Sequence, residues 1–194
     1  PRESGNEKEI SNFLVDFAKK RNLEYWQDDF LNVYIKKEAS KGFENYPEVL
    51  LQGHMDMVCV KENGSDHDFS KDPIELVVDG EWLRANKTTL GADDGIAVAY
   101  ALAILDDEKI SHGPISVLIT TGEETSMVGV NNLDIKKLND PKYLLNIDSE
   151  EEGILTIGCA GGMDIKYSFE KEYEKKDGEF ISIELKNFQG GHSD

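Results

Sequence analysis

Three short apolar runs constrain this chain more than anything else in it: Val49-Leu50-Leu51-Gln52, Ile115-Ser116-Val117-Leu118-Ile119 and Tyr143-Leu144-Leu145-Asn146-Ile147. Each has the length of a single strand and carries branched apolar side chains, the pattern of strands buried in a sheet. Asn32-Val33-Tyr34-Ile35 adds another. Between the first two runs, residues 95–105 are apolar on nearly every side through Ile96, Val98, Tyr100, Leu102 and Ile104, which predicts a helix buried under other layers. A first, amphipathic helix is predicted over residues 5–21: Ser4 and Glu7 have capping-box spacing, Ile10, Phe13, Leu14 and Phe17 share one face, and Asn22 ends it. Strands that alternate with helices imply an α/β sandwich around a largely parallel sheet.

The pattern changes near Gly161-Gly162. Met163-Asp164-Ile165-Lys166-Tyr167-Ser168-Phe169 alternates strictly, and an apolar run over 180–185 follows a charged turn containing Asp177-Gly178, which reads as a β-hairpin of a different unit. The first unit is therefore set at residues 1–161 and the second at 162–194.

Charge excludes whole classes of partner. The 39 acidic residues against 21 basic ones give a net charge of -18, which repels nucleic-acid phosphates and anionic lipid, so neither nucleic acid nor a membrane surface is expected. No apolar run approaches the ~20 residues of a membrane span. Cys59 and Cys159 are too few for a disulfide framework and wrongly spaced for a zinc knuckle, which fits a reducing, cytoplasmic setting.

The residues just past each strand carry the chemistry. After the first run comes Gly53-His54-Met55-Asp56, in which residues two apart can share a face and Asp56 can take the second ring N–H of His54 or reach the same centre. Gly91-Ala92-Asp93-Asp94-Gly95 opens the apolar helix; a helix cap accounts for one of its two carboxylates and leaves the other. Thr121-Gly122-Glu123-Glu124 comes after the next run, and Asp148 with Ser149-Glu150-Glu151-Glu152 after the last. In an open α/β sheet the carboxyl ends of the strands line one crevice, so these groups converge and need a cation between them. Imidazole with carboxylate oxygens suits Zn²⁺ or Mn²⁺, and one carboxylate can bridge two ions. Trp26 and Trp82 read as packing anchors, and Met55 and Met57 as fillers around His54.

Together with Ser4-Gly5-Asn6-Glu7, Asp79-Gly80-Glu81-Trp82, Thr88-Thr89-Leu90 and Gly190-Gly191-His192-Ser193, these motifs resemble the M20 metallopeptidase family, most closely its aminoacyl-histidine dipeptidase branch. The resemblance implies a three-layer α/β/α sandwich of the zinc-peptidase type, followed by the opening strands of an α+β lid. It implies two divalent ions, Zn²⁺ with Mn²⁺ or Co²⁺ as alternatives. His54 and Asp148 would bind one ion, Asp93 would bridge, and Glu124 would bind the other. Asp56 would orient His54, Glu123 would act as general base, and His192 of the lid would contact substrate. It also implies a cis peptide at Asp93–Asp94, a further histidine ligand beyond Asp194, hydrolysis of Xaa-His dipeptides such as β-alanyl-histidine, and a homodimer through the lid. Other amidohydrolases of this fold, deacylases or aminotripeptidases, would keep the same metal residues, and a non-catalytic metal-binding protein would have no use for Glu123.

Overall fold

The computed structural model describes residues 1–149, 151, 153–158, 166–170, 172, 177–179 and 181–184. Its first helix, α1, spans Lys8–Lys20 and buries Leu14, Val15, Phe17 and Ala18. Phe13, expected on that face, is 54% exposed. The stop is as the sequence expects: Asn22 takes a left-handed φ of 53, and the N–H groups of Asn22 and Leu23 return to the carbonyls of Lys19 and Ala18. This is a Schellman closure with asparagine in place of glycine. The start is not as expected. Glu7 caps α1 only by position, with no side-chain cap bond, because the side chains of Ser4 and Glu7 are engaged elsewhere.

Five strands form the main sheet: β1 (Glu24–Gln27), β2 (Val33–Lys37), β3 (Val49–His54), β6 (Ile115–Thr120) and β7 (Tyr143–Asn146), in the order β1-β2-β6-β3-β7. β3 pairs parallel with both β6 and β7, whereas β2 pairs antiparallel with β1 and β6. The parallel part thus lies where the acidic motifs succeed the strands. A separate antiparallel ribbon joins β4 (Leu76–Asp79) to β5 (Trp82–Ala85) through Gly80, whose φ is 62. Trp82 is 68% exposed on this ribbon, so it does not serve as a packing anchor.

The helix α2 spans Ala92–Asp106 and is regular only after Asp94, since Asp93 and Asp94 have non-helical torsions. Together α1 and α2 cover one face of the sheet. Leu14, Phe17, Val98, Ala101 and Leu105 meet Val33, Ile35, Leu51, Val117 and Ile119 there. On the other face Tyr34, Leu50 and Leu118 pack with Trp26, Leu133 and Leu138, and Trp26 stacks on Tyr34 at 5.2 Å. Short turns cover that side, α3 (Val128–Asn131) and a 3-10 turn at Ile135–Lys137. α2 is not buried all round: Ile96 and Tyr100 are 47% and 55% exposed, because among the described residues only its sheet-facing side has a packing partner.

At Gly53 the sheet and α2 touch so closely that an added Cβ would lie 2.7 Å from the Cβ of Ala97 and would also press on the carboxylate of Asp94. Gly53→Ala should therefore push α2 off β3 and cost about 1–3 kcal/mol, as overpacking does. Chemical denaturation of the variant measures this, and an unchanged midpoint would show that α2 can slide freely.

The chain falls into two units, Pro1–Gly153 and Ile154–Asp194, and every element named above belongs to the first. Of the hairpin expected over 163–169 and 180–185, residues 163–165, 180 and 185 lie outside the described residues; the described parts, 166–169 and 181–184, form no strand.

Candidate metal centre

The three parallel strands end side by side, and each hands over to a turn that carries one of the sequence-predicted groups. His54 closes β3 and is buried. Its Nδ1 lies 3.1 Å from the backbone oxygen of Asp56 and 3.3 Å from Asp56 Oδ1. Both neighbours only accept, so Nδ1 carries a hydrogen and Nε2 is the nitrogen that offers a lone pair outward once the ring gives up its second proton. Around Nε2 stand three carboxylates: Asp93 Oδ1 at 2.9 Å, Glu123 Oε2 at 3.9 Å and Asp148 Oδ1 at 4.0 Å. They arrive from the entry of α2 and from the ends of β6 and β7.

Asp56 is fully buried and does more than face His54. Its oxygens accept Ser4 Oγ at 2.7 Å, the N–H of Glu123 at 3.1 Å and the N–H of Glu124 at 3.2 Å. Burial alone would raise its pKa, but these donors and His54 overcome it and hold Asp56 at about 2. Asp94 takes the capping role that the sequence allows to one of the paired aspartates. Its buried carboxylate accepts the N–H of His54 at 3.1 Å and that of Ala97 in α2. Burial lifts its pKa to about 7. The Asp93–Asp94 peptide is cis, as the resemblance implies.

Two sets of ligand atoms converge. Those of His54, Asp93 and Asp148 lie within 4.8 Å of one another, and so do those of His54, Glu123 and Glu124. The first set is the one expected for the first ion. The second differs from expectation in grouping Glu124 with His54 and Glu123 rather than with Asp93. His192 lies outside the described residues.

The donor set fits a divalent cation. Burial, and then the repulsion of neighbouring carboxylates, pushes Glu123 and Asp148 above the ordinary carboxylate range, and the charge of His54 offsets only part of this. For His54 burial works against protonation, yet Asp56, Asp148 and Asp93 outweigh it and raise the ring to about 9. A cation at Nε2 would take the place of that proton and stabilise every carboxylate at once. Beside it, a cleft of about 310 Å³ is lined by Asp93, Asp94, Ile96 and Asp148 among others. Three residues that hold this arrangement, Ser4, Glu7 and Asp94, carry no site assignment from the sequence. The doubled aspartate signals Asp94, and the motif Ser4-Gly5-Asn6-Glu7 marks the other two without giving them a role at the site.

The model of Peptidase family M20/M25/M40 matches residues 50–191. Cytosol non-specific dipeptidase of Escherichia coli (strain K12) is 43% identical over 195 residues, a match that covers all of this chain and 40% of that protein. Aminoacylhistidine dipeptidase from Vibrio alginolyticus superposes with a TM-score of 0.76 at 45% identity, over 79% of this chain and 31% of that one. An aminopeptidase from Bacillus cereus superposes with a TM-score of 0.62 at 26% identity, over 77% of this chain and 40% of that one. The chain thus spans less than half the length of these relatives.

Proposed function

Because the chain belongs to peptidase family M20/M25/M40, we propose that it forms the metal-binding part of a cytoplasmic dipeptidase with two divalent ions, Zn²⁺ before Mn²⁺ or Co²⁺. Residues 1–161 would make up the catalytic domain and residues 162–194 the start of a lid through which two copies pair. The single observation that carries this reading is the ring of Asp93, Glu123 and Asp148 around the outward nitrogen of a buried histidine.

His54, Asp93 and Asp148 would hold one ion, with Asp93 shared and Glu124 on the second. When bound, the metal pair supplies Lewis acidity, making a water acidic near neutrality and polarising the scissile carbonyl. Glu123 takes the proton of the attacking water and returns it to the leaving amine. Its raised pKa, caused first by burial, suits a group that must both accept and release a proton. Asp56 holds His54 in the tautomer that exposes Nε2. Dipeptides are the proposed substrates, Xaa-His among them. The names of the Escherichia coli and Vibrio alginolyticus relatives support that class.

Titration calorimetry with Zn²⁺ on the metal-stripped intact enzyme, beside a dipeptidase assay on β-alanyl-histidine and a panel of other dipeptides, tests the reading. Zn²⁺ at 100 times its Kd should stabilise the fold by about 2.7 kcal/mol. The sign of the pH effect is set by His54, whose pKa is near 9 without metal. Below that pH the ring carries a proton that binding must expel, so affinity should rise with pH toward 9 and fall as the medium is acidified. Absence of Zn²⁺ binding, or turnover that survives chelation, would defeat the reading.

A further inference from the structure

The residues that precede α1 engage the site rather than the helix. Arg2 donates from Nη1 to the backbone oxygens of Met55 at 3.1 Å and Asp56 at 3.3 Å, and from Nη2 to that of Gly91. One guanidinium thus ties the turn that leaves β3 to the turn that enters α2. Backbone contacts reinforce it: the N–H of Met57 donates to the oxygen of Arg2 at 3.0 Å, and Glu3 bridges Met57 in parallel. Ser4 donates to Asp56 at 2.7 Å. The buried Glu7 accepts the N–H of Gly122 at 3.0 Å, in the turn that carries Glu123 and Glu124.

The glycines that flank the aspartate pair make room for this. A Cβ on Gly95 would lie 2.8 Å from Arg2 Nη2, and its three nearest atoms all belong to that guanidinium. A Cβ on Gly91 would meet the same group.

We propose that the stretch from Arg2 to Glu7 is a clasp, in which Arg2, Ser4 and Glu7 are positioning residues that hold three of the four ligand-bearing turns in register. The clasp rests on the metal-site reading above. It acts before any ion arrives, by fixing backbone groups whose side chains would otherwise drift apart under mutual repulsion.

Charge and position predict opposite signs. Arg2 sits beside Asp56, Asp93 and Asp94. By charge alone its removal would tighten cation binding, whereas as a clasp its removal weakens it. In the metal-stripped intact enzyme, titrated with Zn²⁺ against a chelating indicator, Arg2→Ala should weaken binding by about 10–100-fold. Arg2→Lys should recover little, because an ammonium is a point charge that cannot span both turns. Gly95→Ala should weaken binding in the native background, where the new methyl displaces the guanidinium, and have no further effect when combined with Arg2→Ala. Because alanine favours the helix over glycine, this variant also tests the clasp should Arg2→Ala not fold.

Hydrogen exchange on the metal-free protein supplies a second readout. The amide of Gly122 should exchange faster in Glu7→Ala and that of Met57 faster in Arg2→Ala, with amides inside α1 and β3 still protected. Unchanged or tighter Zn²⁺ binding with unchanged exchange would overturn the clasp. A wild-type protein that bound no Zn²⁺ would refute the metal reading instead, and the exchange measurements would still decide the clasp.

Discussion

Replacing Glu123 by glutamine in the intact enzyme is expected to lower kcat by about 10²–10⁴-fold, the usual share of a general base, with metal content unchanged. Glutamine keeps the shape but cannot hold the water's proton. The turn should survive, because Asp56 binds Glu123 through its backbone N–H and not through its side chain. Glu124→Ala should do the reverse and lower metal occupancy. Metal analysis and steady-state kinetics on the two variants separate the roles. If Glu123→Gln lost metal and retained turnover, the two glutamates would have to exchange assignments.

Asp56→Ala is expected to cost about 3 kcal/mol of stability and most of the metal affinity, in the range for removing one partner of a buried, hydrogen-bonded charge. Three donors, Ser4 Oγ and the N–H groups of Glu123 and Glu124, lose their acceptor at once, and Nδ1 of His54 loses its carboxylate. Desolvation of a buried carboxylate opposes these bonds. That the Asp56 pKa still lies at about 2, below the usual value of 3.8, says that the bonds win. The pH dependence has a definite sign: a depressed pKa contributes stability that is fully present above about 4 and is lost as pH falls toward 2. The shift corresponds to roughly 2 kcal/mol. Urea unfolding at pH 7 and at pH 3 measures both effects. A loss under 1 kcal/mol at pH 7 would show that water replaces the carboxylate without penalty.

How much of the fold and site is legible in the sequence depends on how local each signal is. The runs at β3 and β6 are legible because burial on both faces leaves continuous apolar stretches. The run at β7 is equally apolar in sequence although the strand lies exposed at the sheet's edge, and the groups after all three are legible because strand ends share one crevice. β1 is not, because Glu24-Tyr25-Trp26-Gln27 is short, at the sheet's edge and without alternation. The β4–β5 ribbon is visible only as the motif Asp79-Gly80-Glu81-Trp82, although Asp-Gly between apolar residues is itself a hairpin signal. Ser4 and Glu7 show the opposite failure. Their spacing fits a helix cap, but Asp56 and Gly122, which they bind, lie more than fifty and more than a hundred residues away and leave no mark in a local window. For Arg2, likewise, no periodicity connects it to Gly91.

The parallel pairing of β6, β3 and β7 also works as a ruler. Neighbouring strands are held about 4.8 Å apart by their hydrogen bonds. Thr120 stands level with His54, and Asn146 with Gln52. The origins of the three strand-borne turns are thus spaced by the pitch of the peptide backbone, a quantity that no side-chain substitution alters. The strand that leads to the glutamates and the strand that leads to Asp148 stand two steps of that pitch apart, with His54 on the middle mark, and the turns beyond the strand ends set the remaining distances. A chain built this way can change what it accepts by altering groups off the ruler, in the turns that carry the candidate ligands, while the spacing of the strands beneath them stays fixed.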